Sequence, residues 1–515
     1  MPASLTYPGV YIEEVPSAVR TIVGVPTAIA AFVGSAARGP TDAPAHLTSW
    51  ADFQRSFGGL TADGALGYAV FQYFQNGGGE AEVVRLTGAG AEASTLDLGG
   101  GSELTASSAG TWGDGLRARV DYGPVDDGET YNLTVRDTAT GATERFTGIT
   151  TSAGSARPVD KVLRSSALVS STGDNTVRPA ASADPAPGKD PFADPVGGAP
   201  ATYVQASGGA AGADLTAGDY TGSEADKTGL YQLLKTDIFN MLVLAPQTVG
   251  GAVPDGVAAT ALELCVDRRA ILLVDPPAAW DSVANAATGA PNHPLLGDSA
   301  RNAAIYFPNV LFADPLDNGV PKAFPPSGAL AGVIARTDGQ RGVWKAPAGT
   351  DASFSGAVGP SLEMNDLENG RLNPIGVNCI RRFPLIGTVS WGARTMRGAD
   401  SLADQWKYLP VRRTALFIEE SLFRGTKWVV FEPNDEPLWA SVRLNVGAFM
   451  NSLFRQGAFA GSTPRDAYLV QCDKDNNPQA EVDKGVLHIL VGFAPLKPAE
   501  FVVIEIEQLA GQLQV

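Results

Sequence analysis

The most constraining feature of this 515-residue sequence is a pair of short apolar runs separated by a helical pattern. The runs are NMLVLAP at 240–246 and AILLVDPP at 270–277, and both are apolar throughout rather than alternating. Such runs are typical of strands that are covered on both faces. The segment between them places Val257, Ala261 and Leu264 at helical spacing. This order predicts a βαβ unit and parallel pairing of the two strands.

The same alternation of strand and helix patterns occurs on both sides of this unit. Residues 21–86 contain a predicted buried strand, TAIAAFVGS, and a strand over 81–86. Between them, LTSWADFQRSFGG predicts a short helix with Trp50, Phe53 and Phe57 on one face. Downstream, AAIYFPNVLFADP and SGALAGVIARTDGQ predict further strands and a helix. The sequence therefore predicts an α/β core.

The composition changes between residues 88 and 218. This region is rich in Gly, Ser, Thr and Ala and contains short β-like runs such as LRARVDY and YNLTVRD. Residues 179–200 contain six prolines and are predicted to form an extended loop. We therefore expect an inserted, mostly-β module at the surface.

The last region, from residue 375, combines helices with alternating strands. VRRTALFIEESLFRG predicts a helix capped by Gly425, and KWVVFE predicts a strand after it. The next segment, NDEPLWASVRLNVGAFMNSLFRQG, predicts a long amphipathic helix with Asn434 as its cap. Its predicted buried stripe consists of Leu438, Val442, Phe449 and Leu453. GVLHILVGFAP and AEFVVIEIEQL predict two strands near the C-terminus.

A further predicted strand, YPGVYIEEV at residues 7–15, has no hairpin partner close behind it. An isolated strand leaves its backbone N–H and C=O groups unpaired, so it must join a sheet elsewhere. Both ends of the chain thus contain predicted β-segments.

The composition limits the possible functions. The net charge of −17 argues against non-specific binding of nucleic acid and favours solubility. The cysteines Cys265, Cys379 and Cys472 are odd in number and far apart, as expected for reduced thiols in a chain made in the cytosol. No apolar run is long enough for a membrane span, and no signal peptide is recognisable. We expect no cofactor and no metal site.

One arrangement is compatible with catalysis. Asp275, His293 and Ser327 occur in the chain order of a subtilisin-like hydrolase, with Asp275 at the end of a buried strand. The simpler interpretation is that Ser327 caps a helix after two prolines and that Asp275 is a strand-end carboxylate. Few residues separate Asp275 from His293, which leaves little room for the usual intervening elements. We therefore predict that the chain is not an enzyme, with hydrolysis as the alternative.

Several segments resemble the contractile tail sheath proteins of phages, tailocins and extracellular contractile injection systems. They include YPGVYIEEVPS, GTWGDGLRARV, RRAILLVDPP, LNPIGVNCIRRFPLIGTVSWGARTM and WVVFEPNDEPLWASVRLNVGAFMNSLFRQG. The resemblance implies a structural subunit that forms hexameric rings in a helical sheath around an inner tube protein. Contraction of such a sheath drives the tube through a target envelope. Baseplate and tail-terminator proteins are the other implied partners.

The resemblance also implies a multidomain α/β organisation. Its expected parts are an N-terminal strand-exchange arm (1–20), the N-terminal part of the core (21–87), a variable insertion domain (88–218), a subtilisin-like middle domain without protease activity (219–374), an α/β assembly domain (375–495) and a C-terminal strand arm (496–515).

Two sets of functional residues follow from this resemblance. The residues expected to add strands to neighbouring subunits are Val10, Tyr11, Ile12, Val15, Phe501, Val503, Ile504 and Ile506. The candidate contacts with the inner tube are Lys407, Arg412 and Arg413, in the basic segment WKYLPVRRT. The alternative interpretation of these residues is a solvated helix start. Assembly is expected in the cytoplasm, as part of a phage tail or an injection particle.

Overall fold

The computed structural model describes residues 20–124, 126–196 and 200–503. The described residues divide into two compact units. The larger unit contains residues 28–339 and 347–407, and the smaller contains 20–27, 340–346 and 408–503.

The larger unit begins with three strands and two helices. Their bounds are β1 (Ala30–Ser35), β2 (Ala45–Leu47), α1 (Trp50–Phe57), α2 (Ala65–Gln75) and β3 (Ala81–Leu86). Helix α1 starts because the Ser49 side chain accepts a hydrogen bond from the Asp52 N–H. It ends at Gly58, whose φ of 92° is left-handed. The predicted helix and both predicted strands of this region are thus confirmed.

The described residues between 88 and 218 form nine short strands. They are β4 (Ala91–Glu92), β5 (Thr95–Asp97), β6 (Glu103–Ala106), β7 (Leu116–Asp121), β8 (Tyr131–Asp137), β9 (Thr143–Ile149), β10 (Val169–Ser171), β11 (Val204–Gln205) and β12 (Ala210–Ala211), with a short helix, α3 (Val159–Val162), before β10. Strands β11-β7-β8-β9 and β10-β6-β5 form two antiparallel sheets. These sheets share a hydrophobic core that includes Leu104, Leu116, Leu133 and Ile149.

The proline-rich segment of this region is held by arginine–aromatic stacking. Arg178 lies 3.4 Å above the Tyr122 ring, and Arg136 lies 4.4 Å above the Phe192 ring. Arg136 also forms an ion pair with Asp190 at 2.8 Å. These contacts fasten the segment to the sheet without adding a strand to it.

The rest of the larger unit completes a central sheet. Its elements are α4 (Ala217–Thr221), β13 (Met241–Leu244), α5 (Val257–Asp267), β14 (Ile271–Val274), α6 (Val283–Gly289), β15 (Ala303–Phe307), β16 (Val310–Ala313), β17 (Pro321–Phe324), α7 (Ser327–Arg341), β18 (Ala357–Pro360), α8 (Asp366–Leu372), β19 (Asn378–Phe383) and β20 (Gly387–Ser390). The strand order is β2-β3-β1-β13-β14-β15-β19-β20.

Parallel pairing dominates the centre of this sheet. β13 pairs with β14, and β14 with β15, both in parallel, while antiparallel strands lie at the two edges. Strands β13 and β15 are buried at every position, which explains their unbroken apolar runs. The βαβ unit predicted from the sequence, β13–α5–β14, is confirmed.

The described residues of the smaller unit form two long helices and one two-stranded sheet, with two short helices. Its elements are α9 (Leu409–Gly425), α10 (Glu436–Arg455), α11 (Pro464–Ala467), β21 (Tyr468–Gln471), α12 (Gln479–Val482) and β22 (Leu490–Phe493). The four residues predicted to form the buried stripe of α10, Leu438, Val442, Phe449 and Leu453, are all buried.

Four predictions for the C-terminal region were wrong. KWVVFE forms a 3-10 turn over Lys427–Val429 instead of a strand. Helix α9 ends with Gly425, and Thr426 is its cap. Asp435 caps α10 by accepting a hydrogen bond from the Leu438 N–H, while Asn434 bonds the indole N–H of Trp439. The boundary at 375 also fails, because β19 and β20 belong to the central sheet and the smaller unit resumes at residue 408.

Candidate assembly surface

Among the described residues, the two-stranded sheet of the smaller unit has an open edge on β21, and on β22 an edge that is bridged past the end of the strand, where the Ala460 N–H donates to the Ala494 carbonyl at 2.9 Å. Strands β21 and β22 are antiparallel, with Leu469 opposite Gly492 and Val470 opposite Val491. The Ala494 N–H donates to the Ala467 carbonyl at 2.8 Å, which identifies the hydrogen-bonded pairs of the ladder. Because these pairs alternate, the backbone groups of Val470 and Val491 point outward, away from the partner strand.

The same alternation applies to Tyr468 and Phe493, whose backbone groups also point to the outer edges. The Tyr468 N–H is satisfied by the Pro464 carbonyl. No described residue forms a backbone hydrogen bond with the outward N–H or C=O groups of Val470, Val491 or Phe493. A two-stranded sheet is marginal alone, and free edges can accept further strands. The sheet therefore offers one acceptor edge on β21 and a second on β22.

One face of this sheet is fixed to a hydrophobic core. The side chains of Tyr468, Val470, Val491 and Phe493 pack against the cluster that contains Trp439 and Val442 of α10. On the opposite face, Leu469 and Leu490 are half-exposed. The helix thus holds the sheet in place while its edges stay accessible.

Residues 20–27, which follow the predicted N-terminal arm, are anchored on α9 and α10. The Arg20 N–H donates to Asn445 Oδ1 at 2.8 Å, and the Val25 N–H donates to Ser421 Oγ at 3.2 Å. Two buried side chains of the long helices therefore hold the backbone of this segment by hydrogen bonds.

Close packing adds to this anchoring. A Cβ on Gly425 would lie 2.6 Å from Cγ2 of Ile22, and a Cβ on Gly24 would lie 2.9 Å from the Phe417 ring. Both glycines thus permit an approach that any larger residue would prevent. The described part of this segment therefore starts from a fixed position at Arg20.

The residues predicted for strand exchange lie mostly beyond the described part of the chain. Val10, Tyr11, Ile12, Val15, Ile504 and Ile506 are outside the described residues. Phe501 and Val503 are described, are exposed and are not in a strand. The Tyr408 hydroxyl lies 3.4 Å from a carboxylate oxygen of nearby Glu500. Strand exchange stays a prediction for all eight residues.

The basic residues proposed to contact an inner tube do not form an exposed basic face. Arg412 and Arg413 are only 5% and 4% exposed. Arg412 pairs with Glu419 at 3.2 Å, and Arg413 donates to the Thr27 carbonyl at 2.9 Å. Lys407 is more accessible and pairs with Asp400 at 2.7 Å. The two arginines thus serve the interior of the chain, and a tube contact through these three residues stays a prediction.

The possible catalytic residues do not form a triad. Ser327 donates to Asp275 directly, from Oγ at 2.7 Å and from its N–H at 2.9 Å. His293 lies instead beside the Trp280 ring and accepts a hydrogen bond from the Leu295 N–H. Among the described residues, its imidazole bonds neither Asp275 nor Ser327. With no base next to the serine, the hydrolase alternative has no structural support.

Burial dominates the electrostatics of these residues. Asp275 is partly buried and has no ion-pair partner among the described residues, so burial raises its pKa to about 7, opposed by the Ser327 hydrogen bonds. Burial also lowers the pKa of His293. The pair Asp275–Ser327 thus fastens the end of β14 to the start of α7.

Comparison with known proteins identifies the class. Residues 402–508 match the phage tail sheath C-terminal domain family. This region contains both β21 and β22. The resemblance predicted from the sequence is confirmed: over this C-terminal region the chain is similar to phage tail sheath proteins.

Particular relatives agree with this class. The chain is 28% identical over 285 residues to a prophage major tail sheath protein of Pseudomonas aeruginosa (strain UCBPP-PA14), covering 53% of this chain and 67% of that protein. It is 25% identical over 179 residues to the tail sheath protein of Vibrio phage KVP40, covering 35% of this chain and only 25% of that protein. These relatives are structural tail sheath proteins rather than enzymes.

The fold of the chain is also similar to that of a known sheath protein. The chain resembles the sheath complex of an extracellular contractile injection system, PVC, in its contracted state, with a TM-score of 0.58 and 23% identity over 98% of both chains. No helix among the described residues is both long and apolar enough to cross a bilayer.

Sequence reasoning missed two parts of the assembly surface. β21 is only four residues long, and its free edge depends on the pairing of the whole unit. Asn445 and Ser421 were not singled out, although each is a polar residue on the apolar face of a predicted helix. A polar residue at a buried helix position is a signal that a backbone partner is required.

Proposed function

We propose that this protein is the subunit of a contractile sheath, arranged as hexameric rings wound helically around an inner tube. The observation that carries the proposal is the β21–β22 sheet, which lies in the matched sheath domain and whose strands both have outward backbone groups that no described residue pairs. The anchored segment 20–27 supports it, because it fixes where the N-terminal arm begins.

In this proposal, the arms of one subunit add strands to the β21–β22 sheets of its neighbours. Strand addition uses main-chain hydrogen bonds, so it tolerates varied side chains and links subunits that can still rotate. Rotation of the linked subunits lets the lattice contract. The energy is stored in the extended lattice, so the proposed mechanism uses no nucleotide.

The proposed partners are further copies of this chain, the inner tube protein, and the baseplate and tail-terminator proteins. Lys407 is the basic residue best placed to contact the tube, since Arg412 and Arg413 are buried. Assembly would take place in the cytoplasm, within a phage tail or an injection particle that is later released. The middle domain would keep a subtilisin-like topology without protease activity.

Removal of residues 1–19 tests strand exchange directly. The full chain should form tubes that are visible by negative-stain electron microscopy, and the truncated chain should remain small. The truncation keeps Arg20, so the anchor on Asn445 is preserved and the folded units should be intact. A truncated chain that forms tubes as well as the full chain would refute the exchange of the N-terminal arm.

Proline substitutions identify the acceptor edges. Val491→Pro removes an outward N–H of β22, and Val470→Pro does the same for β21, without removing a hydrogen bond between the two strands. The matched controls are Val491→Ala and Val470→Ala. They shorten the side chain but keep the backbone N–H. We expect tubes with both alanine variants and a loss of tubes with at least one proline variant whose circular dichroism is unchanged. Normal assembly of both folded proline variants would contradict the proposal.

A further inference from the structure

We propose that Phe431 of one copy inserts into an apolar cleft on the smaller unit of the next copy, as a second contact beside strand exchange. This inference rests on the proposed self-assembly. The cleft is lined by Ile22, Gly24, Phe417, Ala448, Phe449 and Leu453, with Thr21, Asn445, Ser452 and Gln456 at its polar margin.

Phe431 is placed as an exposed aromatic knob. Its relative exposure is 103%, so its side chain touches almost nothing within its own chain. Its backbone φ is 72°, a left-handed conformation that is unfavourable for an aromatic residue. The neighbouring Val430 is also exposed. A strained backbone that presents a large apolar side chain to solvent is explained if that side chain is buried on assembly.

The cleft has a suitable size and chemistry. Its volume is about 250 Å³. A cavity of roughly 150 Å³ already accommodates a benzene molecule. The rings of Phe417 and Phe449 line it, with centroids 6.1 Å apart, so an incoming phenyl ring would find aromatic partners.

Charge and geometry favour a second copy as the occupant. Glu432 follows the knob and is exposed, and Arg455 is exposed beside Ser452 and Gln456 at the cleft margin. The acidic residue next to the knob thus complements the basic residue next to the cleft. Knob and cleft are different surfaces of one chain, so their contact is head-to-tail, which generates rings or helical filaments.

A strain-relieving substitution separates assembly from folding. Phe431→Asn removes the aromatic ring, and asparagine tolerates the left-handed conformation better than phenylalanine does. We expect an unchanged or higher melting temperature together with an increase of about tenfold or more in the protein concentration needed for tubes. Val430→Ala is the matched control in the same loop. Ala448→Phe, which would fill the cleft from its own wall, should weaken assembly in the same way.

Disulfide trapping tests the contact itself. Full-length chains carrying Val430→Cys, which keep Phe431, are mixed with chains carrying Ser452→Cys under diamide, which accepts the two electrons and two protons released by the thiols. The native cysteines Cys265, Cys379 and Cys472 are buried, so they should not interfere. We expect a cross-linked heterodimer, identified by mass spectrometry of the linked peptides, in this mixture and none when Val430→Cys is mixed with Lys189→Cys.

The outcomes separate the two proposals. If wild-type tubes form, Phe431→Asn assembles normally and the mixed cysteine variants do not cross-link, the knob contact is refuted while the proposed function stands; the cleft is then available to residues 1–19. If the wild type forms no tubes, the proposed function fails. In that case a cross-linked dimer at high concentration still supports the contact, and its absence refutes the contact too.

Discussion

Replacing Asp275 by asparagine should change how the stability of the protein depends on pH. Asp275 lies at the end of β14 and accepts two hydrogen bonds from Ser327. No ion pair to a basic side chain offsets its burial among the described residues, and its pKa is raised from 3.8 to about 7. The folded chain therefore favours the protonated, uncharged carboxyl group, whereas the unfolded chain lets it ionise freely.

The sign and size of the effect follow from this difference. Between about pH 4 and pH 7 the folded chain keeps a proton that the unfolded chain releases, so stability falls as the pH rises through this window. The two pKa values differ by about 3, and each pKa unit corresponds to about 1.4 kcal/mol. The full difference therefore corresponds to about 4 kcal/mol of unfolding free energy. A carboxamide cannot ionise, so the Asp275→Asn variant should lack this loss.

Urea unfolding followed by tryptophan fluorescence, at pH 5 to 8 and below the concentration for assembly, measures the effect. The wild type should lose more stability than Asp275→Asn as the pH rises, so that the variant is the more stable protein at pH 8. Asp255→Asn, at an exposed carboxylate, is the control and should follow the wild type. If the unfolding free energies of the wild type and Asp275→Asn change in parallel with pH, the pKa of the Asp275 carboxyl group is not raised.

Two further predictions concern the anchor and the tube. Gly425→Ala should cost about 1–3 kcal/mol of unfolding free energy, because its Cβ would collide with Ile22. The cost should be smaller in an Ile22→Ala background, and strictly additive losses in thermal unfolding would contradict the packing. Lys407→Ala, which removes the ammonium group paired with Asp400, should reduce co-sedimentation of the sheath with purified tubes, whereas Lys189→Ala should not. Equal co-sedimentation of both variants would exclude Lys407 from the tube contact.

The central sheet was predictable because its signals are local. β13 and β14 are buried on both faces, so their sequences contain unbroken apolar runs, and α5 between them has a helical pattern that leaves parallel pairing as the simplest solution. The outer strands were assigned to the wrong part of the chain. β19 pairs with β15 across more than seventy residues, and no local pattern reports such a partner.

The error at KWVVFE has a different physical cause. Short apolar runs do not distinguish a strand from another buried segment. Trp428 and Val429 pack against the core of the smaller unit, and the left-handed backbone of Phe431 ends any extended course. For the assembly surface, the sequence predicted only the strands at the two ends of the chain. Which backbone groups of β21 and β22 remain unpaired is a property of the completed unit and could not be deduced from either strand.

The strands β4 and β12 have a practical consequence. They pair with each other, Ala91 opposite Ala211, and the Ala213 N–H donates to the Ala89 carbonyl at 2.9 Å. The region between them, with its own hydrophobic core, therefore starts and finishes at one narrow clasp. A foreign domain whose ends lie equally close together can be grafted at this clasp, provided that it replaces the Asp137 carboxylate that pairs with buried Arg38 at 3.0 Å and the Ala109 carbonyl that accepts from Arg85 of β3. The clasp is thus a natural site for joining a foreign domain to this chain.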